Sequence, residues 1–499
     1  MAIPAISDTS NPILHITDTS RGTIHFPSGP GSEIPPPPSA QPALVRQEPR
    51  RVRRAQRGSI MFARDVAREG KMRIAFVTTS PGPDMGGGMA RVAHELAAAS
   101  ARVHEVLLIC PGEETSMGPS VPGQPMVVRV AARGEDVLLP DLRGRRQLHS
   151  LLASFRPQVV HAHDFGPLAL WLQDWARSTG CPFVMTLHCL PSQAPAFGSL
   201  EKPLVMKRIA NSRLFVAFVD LFLRRCDGVI ALNQAMVDDL RRTGYRGPVY
   251  RVPNGRDLAA YHALPPADVA QPQKQLLFVG SFSRRKNQRY LMEMMEHLAV
   301  PARLTLVGEP LEPGYLAELR TYQRAQCLDG VDLLGPVPYE KIPSLLARTH
   351  VFVSASRLEV QSLVVIEALA SATPVVGLAN ETIDEFVDDA VGKRLPAGTS
   401  PVEFARQVQR ICTLPPRQYE ALCRAARERV RALDWQAVVE ENRRVYEELA
   451  RARAEGSQRS ARMWTPWLVA ASAVRYGFSD LVHPVAARQR RTRALPRRA

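Results

Sequence analysis

The sequence predicts an α/β protein made of two doubly wound, Rossmann-like halves that face a cleft. Three observations carry this. Short apolar runs alternate with helical stretches from residue 72 onward. The alternation pauses once, at PNGRDLAAYHALPPADVAQPQKQ (253–275), and then restarts. The apolar runs end in glycine, histidine or charged residues, at the sheet edge where such folds bind ligands.

The elements follow in order. Residues 1–70 hold Pro35 to Pro38, many Ser and Thr, and Arg50, Arg51, Arg53, Arg54 and Arg57. They read as a disordered, basic, Pro-rich head. MRIAFVTTS (72–80) is a buried strand, and GGGMARVAHELAAAS (86–100) is a helix opened by Gly86, Gly87 and Gly88. HEVLLIC (104–110), QVVHAH (158–163), FVMTLH (183–188) and DGVIAL (227–232) read as strands. Helices are expected near 141–155, 166–178, 202–225 and 234–243. Residues 72–255 thus form a first half. After the pause, LLFVGSFS (276–283), RLTLVGEP (303–310) and HVFVSAS (350–356) are strands of a second half over 275–433. A last helix occupies 434–454, and 455–499 is a basic tail.

Bulk properties narrow the class. The 499 residues suffice for two or three full-sized cores, and 45% hydrophobic with 22% charged residues is ordinary for a globular chain. Seven cysteines with no CxxC pair argue against a disulfide framework or zinc site and fit a reducing, cytoplasmic setting. Neither a signal peptide nor an 18-residue apolar span is visible. The net charge of +16 is concentrated in head and tail, which include Arg488, Arg490, Arg491, Arg493, Arg497 and Arg498. These read as solvated tails, with peripheral contact to an anionic membrane as the sharper alternative. No nucleic-acid module stands between them, so no nucleic-acid partner is expected.

The chemistry concentrates at strand ends. In EVQSLVVIEALASATPVV, Glu359 and Glu367 are eight positions apart. On one helix that spacing leaves them roughly 80° apart, off a common face. They converge if Glu359 lies in a loop and Glu367 in the second turn of a helix capped by Ser362. The N–H groups of Ser362, Leu363 and Val364 then point at an anion, while the carboxylates accept sugar or ribose hydroxyls. The plainer alternative makes Glu359 a surface residue and pairs Glu367 with an arginine. In GSFSRRKNQ (280–288), Gly280 admits close approach, and Ser281, Arg284, Arg285 and Lys286 precede a helix. Cations gain nothing from that end of a helix dipole, but a phosphate suits both. The glycine loop at 86–88 has neither P-loop nor GxGxxG spacing and admits a diphosphate or an acceptor. His161, His163 and His188 also end strands, without ligand-spaced partners. No Asp-x-Asp occurs, so neither a metal nor another cofactor is expected.

Taken in order, these segments resemble the retaining, nucleotide-sugar-dependent glycosyltransferases of the GT-B fold, glycosyltransferase family 4. The likeness rests on the glycine loop, VVHAHD (159–164), TLH (186–188), ALNQAMVDDL, VPNG (252–255), GSFSRRKN, the Glu-x7-Glu segment and the final helix. It implies that the first half binds the acceptor and the second a nucleotide sugar, UDP-hexose favoured over GDP-mannose. It also implies that the last helix crosses back to the first half. It places Glu359 on the transferred sugar, Glu367 on the ribose, Lys286 on the diphosphate, and His188 beside sugar and acceptor. The resemblance further implies transfer from the front face with retention, the leaving phosphate taking the acceptor proton. Two positions depart from the pattern. Ser281 stands where an arginine is usual, with Arg284 or Arg285 as substitute charge. Ala372 stands where glycine is usual, so an altered turn is expected.

The acceptor reads as a glycan, a lipid or a small molecule. VQSLVVIEALA resembles a variant in lipid glucosyltransferases, which tilts the reading towards lipid. PLVMKRIANSRLFVAFVDLFLRRC (203–226) reads as a core helix, with a membrane-surface helix as alternative, and WTPWLVAASAV (464–474) is a second interfacial candidate. Rival activities are hydrolysis or epimerisation of the same donor, and nucleotide-sugar binding without catalysis.

Overall fold

A computed structural model describes residues 71–84, 87–133, 139–140, 142–193 and 213–455. The head, the tail from 456, Gly86 and the segment 203–212 lie outside the described residues.

The first sheet contains β1 (Arg73–Val77), β2 (Glu105–Gly112), β3 (Ser116–Met117), β4 (Met126–Arg133), β5 (Leu139–Pro140), β6 (Val159–Ala162), β7 (Phe183–Thr186), β8 (Gly228–Ala231) and β9 (Val249–Arg251). Its order is β3-β4-β2-β1-β6-β7-β8-β9, with β5 on β4. All pairings are parallel except those of β3 and β5 with β4. Ile74 to Val77 are all fully buried, as a strand covered by helices on both faces must be.

The second sheet contains β10 (Lys274–Val279), β11 (Ala302–Val307), β12 (Val331–Leu334), β13 (Val351–Ser354), β14 (Val375–Leu378) and β15 (Gly392–Leu395). Its order is β12-β11-β10-β13-β14-β15, parallel throughout. Strand order reverses beside β10 and β13 here, and beside β1 and β6 in the first sheet. The loops after these four strands therefore open the crevices where ligands bind.

Helices needed below are α1 (Gly87–Ala101), α2 (Leu142–Phe155), α3 (Pro167–Thr179), α4 (Arg213–Arg224), α5 (Gln234–Arg242), α6 (Ala259–His262) and α7 (Gln288–Met295). Local signals set their ends. Helix α3 starts with Pro167 at its first position and stops at Gly180, left-handed at φ 76°. In α4, Val219, Phe222 and Leu223 bury in the first core, which is the core-helix reading.

The stretch 253–275 is more than a spacer. Leu258, Tyr261 and Val269 bury in the core of the second sheet. Gly255 is required by packing: a Cβ there would lie 2.3 Å from the Trp435 ring. Trp435 opens the last helix, Trp435–Ala454, whose N-cap Asp434 accepts from the Gln436 amide. That helix returns to the first half and buries Val438, Val439, Val445, Tyr446 and Leu449 against Phe76, Val92 and Leu96.

Candidate active site

The site grows from the switch point of the second sheet. After β10 the chain turns through Gly280 to Asn287, where Asn287 holds φ 58°. Asparagine is the side chain that tolerates this left-handed conformation best after glycine. The turn aims Lys286 and Arg285 at the loop after β13. Lys286 Nζ pairs with Glu359 Oε1. Arg285 Nη1 lies 3.6 Å from the same oxygen and donates to the Leu358 carbonyl at 2.9 Å. Glu359 is thus a buried loop residue held by two cations, not a surface group.

Arg284 does not join them. Its side chain is 59% exposed and pairs with Glu312 and Glu318 on the outer side of the turn. Of the two candidates to replace the charge absent at Ser281, the geometry retains Arg285. The Ser281 carbonyl accepts from Gln288 Nε2 at 2.8 Å, which braces the turn on α7.

Glu359 leads into the helix Leu363–Ala370. Ser362 is its N-cap, extended at φ −73° and ψ 114°, but its side chain makes no capping bond. Its own N–H donates to Thr382 Oγ1 at 2.8 Å. That narrows the expected anion contacts to the opening N–H groups of Leu363 and Val364. At the far end Ala372 holds φ 58°. The altered turn expected there is not formed. Alanine occupies the left-handed position itself, because the following Thr373 N–H closes on the Ala368 carbonyl at 2.9 Å.

Glu367 sits in the second turn, 1% exposed. Arg256 Nε lies 2.9 Å from its Oε1, and Tyr339 donates to the same oxygen at 2.7 Å. Its Oε2 is buried with no hydrogen-bond partner among the described residues. The arginine pairing raised for Glu367 is therefore present on one oxygen, and the other oxygen is unclaimed. Arg256 is also 1% exposed and reaches Glu95 on α1 of the first half. Burial opposes its charge, but Glu367, Tyr339 and Glu95 outweigh that and leave it more firmly protonated than usual. Burial raises the Tyr339 phenol, and Glu367 adds to the shift, so Tyr339 stays a donor.

The first half closes on this edge. A Cβ on Gly88 would lie 3.3 Å from Leu363, so the glycine loop abuts the helix N-terminus. Gly87 holds φ 69°. Asn233 Nδ2 donates to the Val360 carbonyl at 2.7 Å, and Gln361 Oε1 accepts from the Asn254 amide at 2.6 Å. The Arg91 guanidinium lies 3.7 Å over the Tyr339 ring.

His188 lies two residues past the end of β7, partly buried, with Nε2 3.0 Å from Nδ1 of His163. His163 stacks on His161, whose nitrogens meet Tyr446 and Thr186 hydroxyls at 2.7 and 2.6 Å. Burial lowers the His188 imidazole to about 4 and His161 to about 3, with His163 also well below its ordinary value. The three rings are neutral at pH 7. No group of three or more His, Cys, Asp or Glu is placed to hold a metal ion among the described residues.

Lys286, Arg285 and Glu359 therefore meet at one strand edge, and Glu367 stands behind them in its own buried cluster. Arg256 and Tyr339 escaped the sequence reading. Arg256 hides in a Pro- and Ala-rich stretch with no periodicity, and only the arginine alternative for Glu367 hinted at it. Chemically, two cations and a helix N-terminus suit a diphosphate, and the carboxylates flanking them suit hydroxyl-bearing rings.

Comparison with known proteins agrees with this fold. The chain matches the Glycosyltransferase Family 4 profile over residues 86–260 and the Glycosyl transferases group 1 profile over 273–413. It is 27% identical to the glycogen synthase of Mycobacterium tuberculosis, over 77% of this chain and 96% of that protein. It is 24% identical to the alpha-monoglucosyldiacylglycerol synthase of Streptococcus pneumoniae, over 50% of this chain and 57% of that one. Its fold is shared by sucrose-phosphate synthase from Thermosynechococcus elongatus, with TM-score 0.63, 21% identity, and coverage of 77% of this chain and 100% of that one. It is also shared by Anabaena HepE in complex with UDP-glucose, with TM-score 0.57, 19% identity, and coverage of 76% and 100%.

Fold and matches together define a nucleotide-sugar-dependent glycosyltransferase of the GT-B class. The chain belongs to glycosyltransferase family 4, of the group 1 type, a retaining family.

Proposed function

We propose that the enzyme moves a hexose from a UDP-hexose to a hydroxyl of a glycan or lipid acceptor. The carrying observation is Glu367. Arg256 and Tyr339 fix one of its oxygens and leave the other as an unclaimed buried acceptor. A ribose hydroxyl is the partner that oxygen suits. Lys286 and Arg285 then turn from Glu359 to the diphosphate, and Glu359 turns to the hydroxyls of the transferred sugar. Gly87 and Gly88, in the first turn of α1, admit close approach by the diphosphate or the acceptor. No general base is needed, because the leaving phosphate takes the acceptor proton. The protein's part is to position the groups and neutralise the departing charge.

A UDP-hexose is supported by the likeness to HepE, whose structure is a complex with UDP-glucose, and a glycan or lipid acceptor by the likeness to a glycogen synthase and an alpha-monoglucosyldiacylglycerol synthase. Seven free cysteines support a cytoplasmic setting. No described helix is long and apolar enough to cross a membrane.

The test is calorimetric titration with UDP, GDP and ADP, followed by an assay of UDP release from UDP-glucose. Preference for UDP is expected. Preference for GDP or ADP overturns the donor, and no nucleotide bound by the folded protein overturns the function.

A further inference from the structure

We propose that His163 is a positioning residue that fixes His188 in its Nδ1–H tautomer, making His188 a hydrogen-bond donor to the sugar or acceptor rather than a base. The placement of His188 beside those groups rests on the proposed function; its tautomer does not.

His163 Nδ1 and His188 Nε2 are 3.0 Å apart, so one N–H lies between them. The other nitrogen of His163, Nε2, is buried and has no hydrogen-bond partner among the described residues. If His163 carried its proton there, a donor would be stranded in the core, while the proton shared with His188 would have to come from His188. If the proton sits on Nδ1, His163 donates to His188 and leaves only a lone pair unmatched at Nε2. Orphaned buried N–H groups are the rarer case in proteins, so the second arrangement holds. His188 Nε2 is then an acceptor, and a neutral imidazole must carry its hydrogen on Nδ1.

The surroundings hold the pair neutral. His163 stacks on His161 with ring centroids 4.5 Å apart, and it meets His188 edge to edge, ring centroids 5.3 Å apart and planes 27° from parallel. His161 is itself tied at both nitrogens, to Tyr446 on the last helix and to Thr186 on β7. A proton added to His188 at Nε2 would meet the N–H of His163 head-on. His188 is therefore poorly built to accept a proton from an acceptor hydroxyl through its inner nitrogen. That proton goes to the departing phosphate oxygen, as the front-face mechanism requires.

The test is long-range ¹H–¹⁵N correlation spectroscopy on ligand-free, ¹⁵N-histidine-labelled protein at pH 7, with His188 assigned from a His188→Gln variant. The expected pattern is a protonated Nδ1 and a bare Nε2. His163→Asn places an amide N–H where Nδ1 was and should preserve the pattern. His163→Asp offers only an acceptor and should flip His188 to the Nε2–H form. With UDP-glucose as probe, the Asp variant should lose at least about tenfold in turnover with little change in KM, and the Asn variant should recover most of it. An Nε2–H or imidazolium form in the wild type overturns the proposal, as does a tautomer that ignores the Asp substitution. Failure to bind any nucleotide would sink the proposed function and leave the tautomer result standing.

Discussion

Arg256 and Glu367 bury opposite charges against each other, Nε to Oε1 at 2.9 Å, with each side chain 1% exposed. Arg256 comes from the segment joining the two halves, and its second carboxylate, Glu95, belongs to the first half. One guanidinium thus ties both halves to the proposed ribose ligand. Removing one partner of such a pair strands the other charge. Arg256→Met should cost about 3–5 kcal/mol in chemical denaturation. Arg256→Met with Glu367→Gln should cost clearly less than the two single variants summed. Additivity would mean that the pair is not coupled.

Lys286 shares Glu359 with Arg285. Lys286→Ala leaves the carboxylate one cation, so stability should fall by no more than about 1–2 kcal/mol. The diphosphate loses a charged donor, and UDP affinity should weaken by about 1.5–3 kcal/mol, roughly ten- to a hundredfold. Near-normal turnover in this variant would remove Lys286 from the mechanism. Arg284→Ala, outside the site, should leave affinity unchanged.

Ala372 is left-handed and buried. Glycine there relieves about 1–2 kcal/mol of strain. Against that stand a lost methyl contact of about 0.8 kcal/mol and a freer unfolded chain worth about 0.4–1 kcal/mol. The terms nearly cancel, so Ala372→Gly should stay within about 1 kcal/mol of wild type. Ala372→Val, β-branched at positive φ, should destabilise by about 2 kcal/mol or more. Denaturant midpoints of both variants decide it.

The buried histidines give a pH dependence of definite sign. The folded pKa of His188 is lowered from 6.5 to about 4, so the unfolded chain takes up this proton first as pH falls. Its contribution to stability is complete above 6.5 and is lost as pH drops towards 4. His161 acts in the same direction, down to about 3. In urea titrations across that window, stability should rise with pH less steeply in His188→Asn than in wild type, by up to one proton. An unchanged slope would contradict the neutral stack.

The two wound parallel sheets and their strand ends were legible because their signals are local. MRIAFV and HVFVSAS are continuous apolar runs, and the residues after them must line the crevice. Glu359 and Lys286 were singled out in this way, and the structure pairs them. The edge strand GKRL was not, since half its residues are polar and only pairing with β14 makes it a strand. Met126–Arg133 likewise gains its place from β2. The segment 253–275 looked like a spacer because Pro and Ala break its periodicity. Its buried residues, Arg256 above all, are set by contacts with Glu95 and Glu367, each roughly a hundred residues or more away in the chain.

Glu367 Oε2 is the proposed ribose acceptor. The direct measurement is the calorimetric affinity of UDP and of 2′,3′-dideoxy-UDP, each for wild type and for Glu367→Ala. Wild type should bind UDP at least about tenfold tighter than the dideoxy analogue, and the variant should bind both alike and weakly. If the two nucleotides bind wild type equally, or the preference survives in Glu367→Ala, Glu367 is a structural partner of Arg256 and not the ribose ligand.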